Sequence, residues 1–207
     1  MIQLIMLKEN KIISVLTIEN SSLAIDLAKC LSDSGIRNLE ITLRTKEAKR
    51  AIELILSTNL DFNIGIGTVL TLDDLNFAKD IGVDFALSPC TDIELIKESF
   101  KIEFKFIPGV STSSDINTAI KLGCKVLKLF PTVQLGGLSY FKSIYSPFKT
   151  LDVNFIALGG INDKNAKDFV KNEHFIGVGA SWIASNELIK NKDWKEITRR
   201  AKLMLEL

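Results

Sequence analysis

At 207 residues with 46% hydrophobic content, the chain can bury roughly 70% of its unfolded surface, so neither disulfides nor a structural metal is required. Lys plus Arg number 26 against 25 Asp plus Glu, a formal charge of +1, which leaves no excess to steer the chain toward nucleic acid or an anionic membrane. Cys30, Cys90 and Cys124 are odd in number, far apart and without a CxxC pair, and His174 is the only histidine. That pattern reads as reduced thiols in a cytoplasmic protein and argues against a His/Cys metal site, leaving only an all-carboxylate Mg²⁺ site open on these counts.

The apolar opening, residues 1–7, stops at Lys8 and Glu9, too short for a signal segment or a membrane span. From there, short β-branched runs alternate with longer amphipathic ones. A strand predicted over 12–18 precedes a helix over 21–34. Strands over 38–43, 62–69, 84–88, 104–108 and 125–130 precede helices over 45–57, 72–81, 92–100, 113–122 and 138–145. A strand over 154–158 leads to a helix over 163–171, and an eighth strand covers 175–178. A terminal helix over 194–207 packs on the outside. Ser21, Thr71, Thr91, Thr112 and Asn162 stand where N-caps belong.

Eight strand–helix repeats without a linker predict a single domain, residues 1–207, of α/β class with a parallel sheet. The sheet could close as a (β/α)₈ TIM barrel or open as a doubly wound sheet. No GxGxxG follows the first strand, the count is eight, and polar or special residues end nearly every strand, all of which favours the barrel. Those strand ends then meet on one face, where barrels build their active sites.

Within 125–130 the period-2 alternation sends Val126, Lys128 and Phe130 to one side. If that side is the lumen, Lys128 is enclosed. Burial disfavours an ammonium and makes an amine nucleophile available, although a lone lysine in such a run also reads as one that snorkels or pairs structurally. Residues 39–44 alternate strictly, placing Glu40, Thr42 and Arg44 on one face. An acid beside an enclosed amine is what Schiff-base chemistry needs, and Arg44 offers a fork for a substrate carboxylate. The plainer alternative is a structural buried ion pair.

Gly159-Gly160 and Gly179-Ala180-Ser181 end consecutive strands, where barrels bind phosphate through backbone N–H groups; Ser181 adds a hydroxyl. Gly65, Gly67 and Thr68 either approach the substrate carboxylate or fit a crowded strand. Phe130 faces the imine or fills core, Cys90 sits on a rim loop, and His174 reads as structural at the opposite face.

In order and spacing, Leu39-Glu40-Ile41-Thr42-Leu43-Arg44-Thr45, Gly65-Ile66-Gly67-Thr68-Val69-Leu70, Ser88-Pro89, Ile107-Pro108-Gly109-Val110-Ser111-Thr112, Leu127-Lys128-Leu129-Phe130-Pro131, Gly159-Gly160-Ile161 and Gly179-Ala180-Ser181-Trp182 resemble the 2-keto-3-deoxy-6-phosphogluconate (KDPG) and 4-hydroxy-2-oxoglutarate (KHG) aldolase family over nearly the whole chain. The resemblance implies a metal-independent, cofactor-free class I aldolase that forms homotrimers and cleaves its substrate to pyruvate plus an aldehyde. It assigns the Schiff base to Lys128 and acid/base work to Glu40. Arg44 and Thr68 would hold the pyruvyl carboxylate, Pro89 and Phe130 would line the pyruvyl pocket, and Gly159, Gly160 and Ser181 would take phosphate.

The chain departs from the family pattern at Ser14, Cys90, Leu158 and Thr132-Val133, none of them a catalytic group and several around the distal part of the substrate. A phosphate-binding isomerase or epimerase using a carboxylate base, or a catalytically silent phosphosugar-binding protein, are the competing readings. Lys128 beside Glu40 in the upper lumen weighs against both.

Overall fold

A computed structural model of the protein describes Leu7 and residues 10–207; the rest of the apolar opening and Lys8-Glu9 lie outside the described residues. Among these residues the strands are β1 (Ile12–Leu16), β2 (Asn38–Thr42), β3 (Asn63–Gly67), β4 (Phe85–Leu87), β5 (Phe106–Ile107), β6 (Gly109–Val110), β7 (Val126–Leu129), β8 (Asn154–Leu158) and β9 (Phe175–Ala180). All pair in parallel, in the order β5-β4-β3-β2-β1-β9-β8-β7-β6. The two ends of that order, β5 and β6, are separated only by Pro108. The expected strand over 104–108 is therefore one barrel position in two pieces, because proline contributes no ladder donor. Its carbonyl still accepts from Lys128 N at 2.9 Å. The sheet closes there, as a (β/α)₈ barrel.

The helices are α1 (Ala24–Asp33), α2 (Ala48–Leu56), α3 (Leu72–Asp80), α4 (Ile93–Lys101), α5 (Ser113–Lys121), α6 (Gly137–Tyr145), α7 (Ala166–Val170), α8 (Asn186–Lys190) and α9 (Trp194–Leu205). Thr71 and Thr112 cap α3 and α5 through reciprocal capping boxes with Asp74 and Asp115. The other expected caps move. Asn20, not Ser21, accepts from Ser22 N at the 3₁₀ turn Ser21–Leu23, and Asp92, not Thr91, caps α4. Asn165, not Asn162, occupies the cap position of α7. In each pair the neighbouring Asn or Asp holds the position, two of them with a carbonyl or carboxylate oxygen aimed at the first free N–H groups. The short helix α8 follows β9, and its five residues carry too little periodicity for its bounds to be read from the sequence.

Two apolar cores result. The larger lies between strands and helices and includes Leu39, Ile41, Leu127, Leu129 and Ala157. The smaller fills the lumen with Ile13, Phe85, Leu87, Ile107, Val126, Ile156 and Leu158. Leu127 and Leu129 fall in the first and Val126 in the second, with Phe130 packed against it, so β7 turns its Lys128 side inward as the alternation requires.

Candidate active site

Glu40 on β2 and Lys128 on β7 come from strands that are not neighbours, and they meet across the lumen. Glu40 Oε1 lies 3.2 Å from Lys128 Nζ, with the side chains 1% and 2% exposed. Opposite charges in so dry a place cost desolvation that their attraction repays only in part, so this pair is not there to stabilise the barrel cheaply. Among the described residues, Glu40 Oε2 is buried without a hydrogen-bond partner. A carboxylate oxygen left bare beside an amine is a vacant acceptor that a substrate or water can fill.

Room for the carboxylate comes from β3. A Cβ built on Gly67 would lie 2.0 Å from Glu40 Oε1, and one on Gly65 would strike the Phe85 ring at 2.1 Å. Of the two readings open from sequence, the crowded strand is the one the geometry favours: these glycines remove side chains so that Phe85 and Glu40 can occupy the lumen. Gly67 is thus a functional position whose role the sequence hinted at only through a Gly-x-Gly run beside a strand bearing an inward acid.

The pair opens into a cavity of about 100 Å³ whose lining includes Arg44, Phe130, Gly159, Gly160 and Ser181. These five are all brought together as expected. The Phe130 ring centroid stands 5.1 Å from Lys128 Nζ, close enough to flank a planar adduct. Arg44 Nε donates to Thr68 Oγ1 at 3.2 Å, which sets the guanidinium at the mouth. Thr68 itself does not line the cavity; it adopts φ of 64° and acts at the rim through Arg44. Pro89 is also outside the lining, its backbone carbonyl pressed over Gly109, where a Cβ would lie 2.3 Å from the Pro89 carbonyl carbon. Thr42, on the Glu40 face, donates to Leu16 O at 3.1 Å and meets Thr17 Oγ1 at 2.9 Å.

Gly159 and Gly160 have φ of 99° and 74°, and Cβ atoms there would press on Pro131 and Val133. They allow the chain leaving β8 to turn against the chain leaving β7, a conformation that other residues resist. Thr132 locks the same corner: its N–H donates to Leu158 O at 2.7 Å, and its hydroxyl, donating to Leu129 O at 2.7 Å, accepts from Leu158 N at 3.1 Å. Thr132 is fully buried, so this departure from the family pattern ties strands together and does not face a substrate. Val15, Thr17, Leu158, Ile161 and Gly179 also line the cavity. Of these, Thr17, Leu158, Ile161 and Gly179 stand at strand ends that the sequence singles out, and Val15 is the one it does not. Val15 and Thr17 lie on the lumenal side of β1 and its continuation, a face readable only once the hand of the β1 alternation was known. His174 lies away from this site, its ring 4.9 Å from that of Tyr145, as a structural residue should.

An enclosed amine, a carboxyl group beside it and a guanidinium at the mouth are the groups that imine chemistry on a small keto acid needs. The comparisons agree. The family model for KDPG and KHG aldolase matches residues 4–200. A 2-dehydro-3-deoxy-phosphogluconate aldolase of Haemophilus influenzae is 31% identical over 201 residues, covering 97% of this chain and 94% of the relative. The KHG/KDPG aldolase of Escherichia coli K12 is 31% identical over 195 residues, 94% of this chain and 91% of that one. Among solved structures, a KDPG aldolase of Legionella pneumophila with pyruvate captured as a covalent carbinolamine is 36% identical, with a TM-score of 0.88 and 94% of each chain covered. A Zymomonas mobilis aldolase determined with 3-phosphoglycerate is 32% identical at a TM-score of 0.85, over 94% of this chain and 90% of that one. A match running from residue 4 to residue 200 takes in both members of the lumenal pair and the glycines that make room around them, and the chain belongs to the KDPG and KHG aldolase family.

Proposed function

We propose that the protein is a class I aldolase in which Lys128 holds pyruvate as a Schiff base and Glu40 moves the protons. The observation that carries this reading is the 3.2 Å contact between Lys128 Nζ and Glu40 Oε1 inside a closed lumen, with Oε2 bare.

Passing a proton from the ammonium to the carboxylate gives a neutral amine and a neutral acid without leaving net charge in the lumen. The amine attacks the keto carbon, and the proton held on Glu40 goes to the developing alkoxide to give a carbinolamine. The nitrogen then gives up a proton to Glu40, and the hydroxyl takes one from it and departs as water, leaving the imine. In the cleavage direction, Glu40 takes the proton from the substrate's C4 hydroxyl as the C3–C4 bond breaks. The aldehyde leaves, and the electron pair enters the imine as an enamine. Protonation at C3 and hydrolysis return pyruvate and the free lysine.

Arg44, oriented by Thr68, faces the pyruvyl carboxylate at the mouth of the cavity. Phe130 flanks the imine plane, while Pro89 shapes the pocket from behind Gly109. The backbone N–H groups beyond Gly159 and Gly160, with the Ser181 hydroxyl, face the terminal phosphate of a KDPG-type substrate. The carbinolamine of the Legionella relative and the 3-phosphoglycerate of the Zymomonas one support this division into a pyruvyl end and a distal anionic end. The working assembly is a cytoplasmic homotrimer, a reading supported by the family resemblance and by cysteines unpaired among the described residues; light scattering should return three chain masses.

Borohydride added with pyruvate tests the core of the proposal. It should inactivate the enzyme and leave a reduced pyruvyl adduct on the peptide bearing Lys128. Lys128→Arg, whose guanidinium stays charged, should form none. An adduct on Lys125 instead, or none at all, would overturn the mechanism.

A further inference from the structure

Next to the catalytic cavity the same face of the barrel holds a second pocket, of about 330 Å³, between the 3₁₀ turn Ser21–Leu23 and helix α8. The two cavities share one residue, Thr17. Its hydroxyl lies 2.9 Å from Thr42 Oγ1, and the Thr42 hydroxyl donates to Leu16 O. Because Thr42 has one proton and spends it there, Thr17 must be the donor in the pair. What Thr17 still offers is acceptor capacity, which suits a ligand hydroxyl.

Beyond Thr17 the pocket has an apolar base, Leu23 and Ile189, both buried. Asn186 Nδ2 donates to Glu19 Oε1 at 3.2 Å, tying the two walls together and occupying the one carboxylate in the lining. The remaining charges are Lys190 and Lys192, neither of which forms an ion pair among the described residues. The pocket therefore offers a hydroxyl acceptor that also borders the catalytic cavity, an apolar base with amides beside it, and two cations outside any ion pair among the described residues.

We infer that this pocket is a distal subsite for aldehyde acceptors longer than a phosphotriose, carrying hydroxyls along the chain and an anion at its end. The inference rests on the aldolase reading above. The cavity around Lys128 ends at the corner of Gly159, Gly160 and Ser181, where the phosphate of a phosphotriose would sit, so a longer acceptor must extend past that corner. Thr17 borders both cavities, and the second is already formed. A chain hydroxyl donates to Thr17 as the acceptor passes, and its terminal phosphate or carboxylate reaches Lys190 and Lys192, beyond the corner made by Gly159, Gly160 and Ser181.

The test is a double variant, Lys190→Ser with Lys192→Ser, which removes two exposed charges and leaves the lumen untouched. Addition of pyruvate is followed with erythrose 4-phosphate as the long acceptor, and with glyceraldehyde 3-phosphate and glyoxylate as short ones. The subsite predicts that kcat/KM falls about fivefold for erythrose 4-phosphate, as loss of two solvent-screened contacts would give, while both short acceptors keep their wild-type values. An equal fall for all three, no change for erythrose 4-phosphate, or no addition to it by the wild-type enzyme would each overturn the subsite. Borohydride trapping of pyruvate on Lys128 separates the two levels of the proposal. An adduct without acceptor selectivity defeats the subsite alone, whereas no adduct in the wild-type enzyme defeats the aldolase reading beneath it.

Discussion

Strands β3 and β9 carry the same device and put it to different use. Each presents two lumenal glycines separated by one residue, Gly65 and Gly67 on β3, Gly177 and Gly179 on β9. On β3 the space goes to the Phe85 ring and, one layer higher, to the Glu40 carboxylate. On β9 it goes to Leu7, Ile13 and Ile156 and, one layer higher, to Leu158, whose Cγ would lie 2.7 Å from a Cβ on Gly179. A barrel of this size has an interior just wide enough for side chains to fill, so a side chain omitted from one strand is volume given to another. The lower glycine serves packing in both strands. Only the upper one of β3 makes room for an ionisable group, the carboxylate to which the proposed mechanism gives the proton transfers. A glycine in a barrel strand thus has no fixed meaning until the occupant of its vacated space is known.

Removing the occupant itself has the largest effect. Glu40→Gln keeps the shape above Gly67 but ends the proton shuttle, so kcat should fall by roughly 10² to 10⁴ while pyruvate trapping on Lys128 slows without vanishing. Single-turnover rates with borohydride quench separate the two. Wild-type turnover would mean another group carries the protons.

Next comes Gly67→Ala, whose methyl drives the carboxylate from its place. Misplacing a reacting group by an ångström costs about 10²-fold, and kcat should drop by that order in a protein whose circular dichroism still reports the barrel. An unchanged kcat would show that β3 differs from β9 in no functional respect.

At the end of β9, Ser181→Ala should raise KM for a phosphorylated substrate by up to about tenfold, the worth of one hydrogen bond to a charged group of about 1.5 kcal/mol. An equal loss with 4-hydroxy-2-oxoglutarate would detach Ser181 from phosphate.

Gly179→Ala tests the packing half of the comparison. Pressing Leu158 out of its rotamer should cost about 1 to 3 kcal/mol of stability, read as a lower denaturant midpoint, with kcat reduced only a few-fold. A kcat loss as large as that of Gly67→Ala would erase the distinction between the strands.

The smallest effect lies outside the lumen, at the cap of α5. Burial pushes the Asp115 carboxyl up, but hydrogen bonds from Ser111 and Thr112 outweigh it and hold the group below its usual range. A lowered folded value means the carboxylate stabilises the fold above the unfolded value, and that this is lost as pH falls through the folded one. Asp115→Asn should therefore be less stable than the wild type at neutral pH, by a margin that narrows toward zero in acid. A margin independent of pH would remove the charge from the account.

Much of this site was legible because strand alternation has a period of two. Once Val126 is taken as lumenal, Lys128 must be too, and the strict pattern from Leu39 to Arg44 then delivers Glu40 and Arg44 to the same interior. Thr68 and Pro89 were less well placed. Both follow strand ends, where the backbone leaves the ladder and alternation no longer dictates direction, and the structure sets them around the cavity instead of in its lining. The caps slipped by one to three residues for a similar reason, since adjacent Ser, Thr, Asn and Asp compete for the same free N–H groups and the turn geometry chooses among them.

The sequence by itself determined the alternating strands and helices, the inward lysine and acid, and through their spacing the family, because each is written in local periodicity or in residues close along the chain. Tertiary structure alone decided that Glu40 and Lys128, 88 positions apart, stand 3.2 Å from one another. It also decided that Gly67 makes room for one of them, and that Thr17 joins two cavities. Those facts depend on how tightly eight strands close around a lumen, and the volume left between side chains from different strands is a property of the closed barrel that no single segment carries.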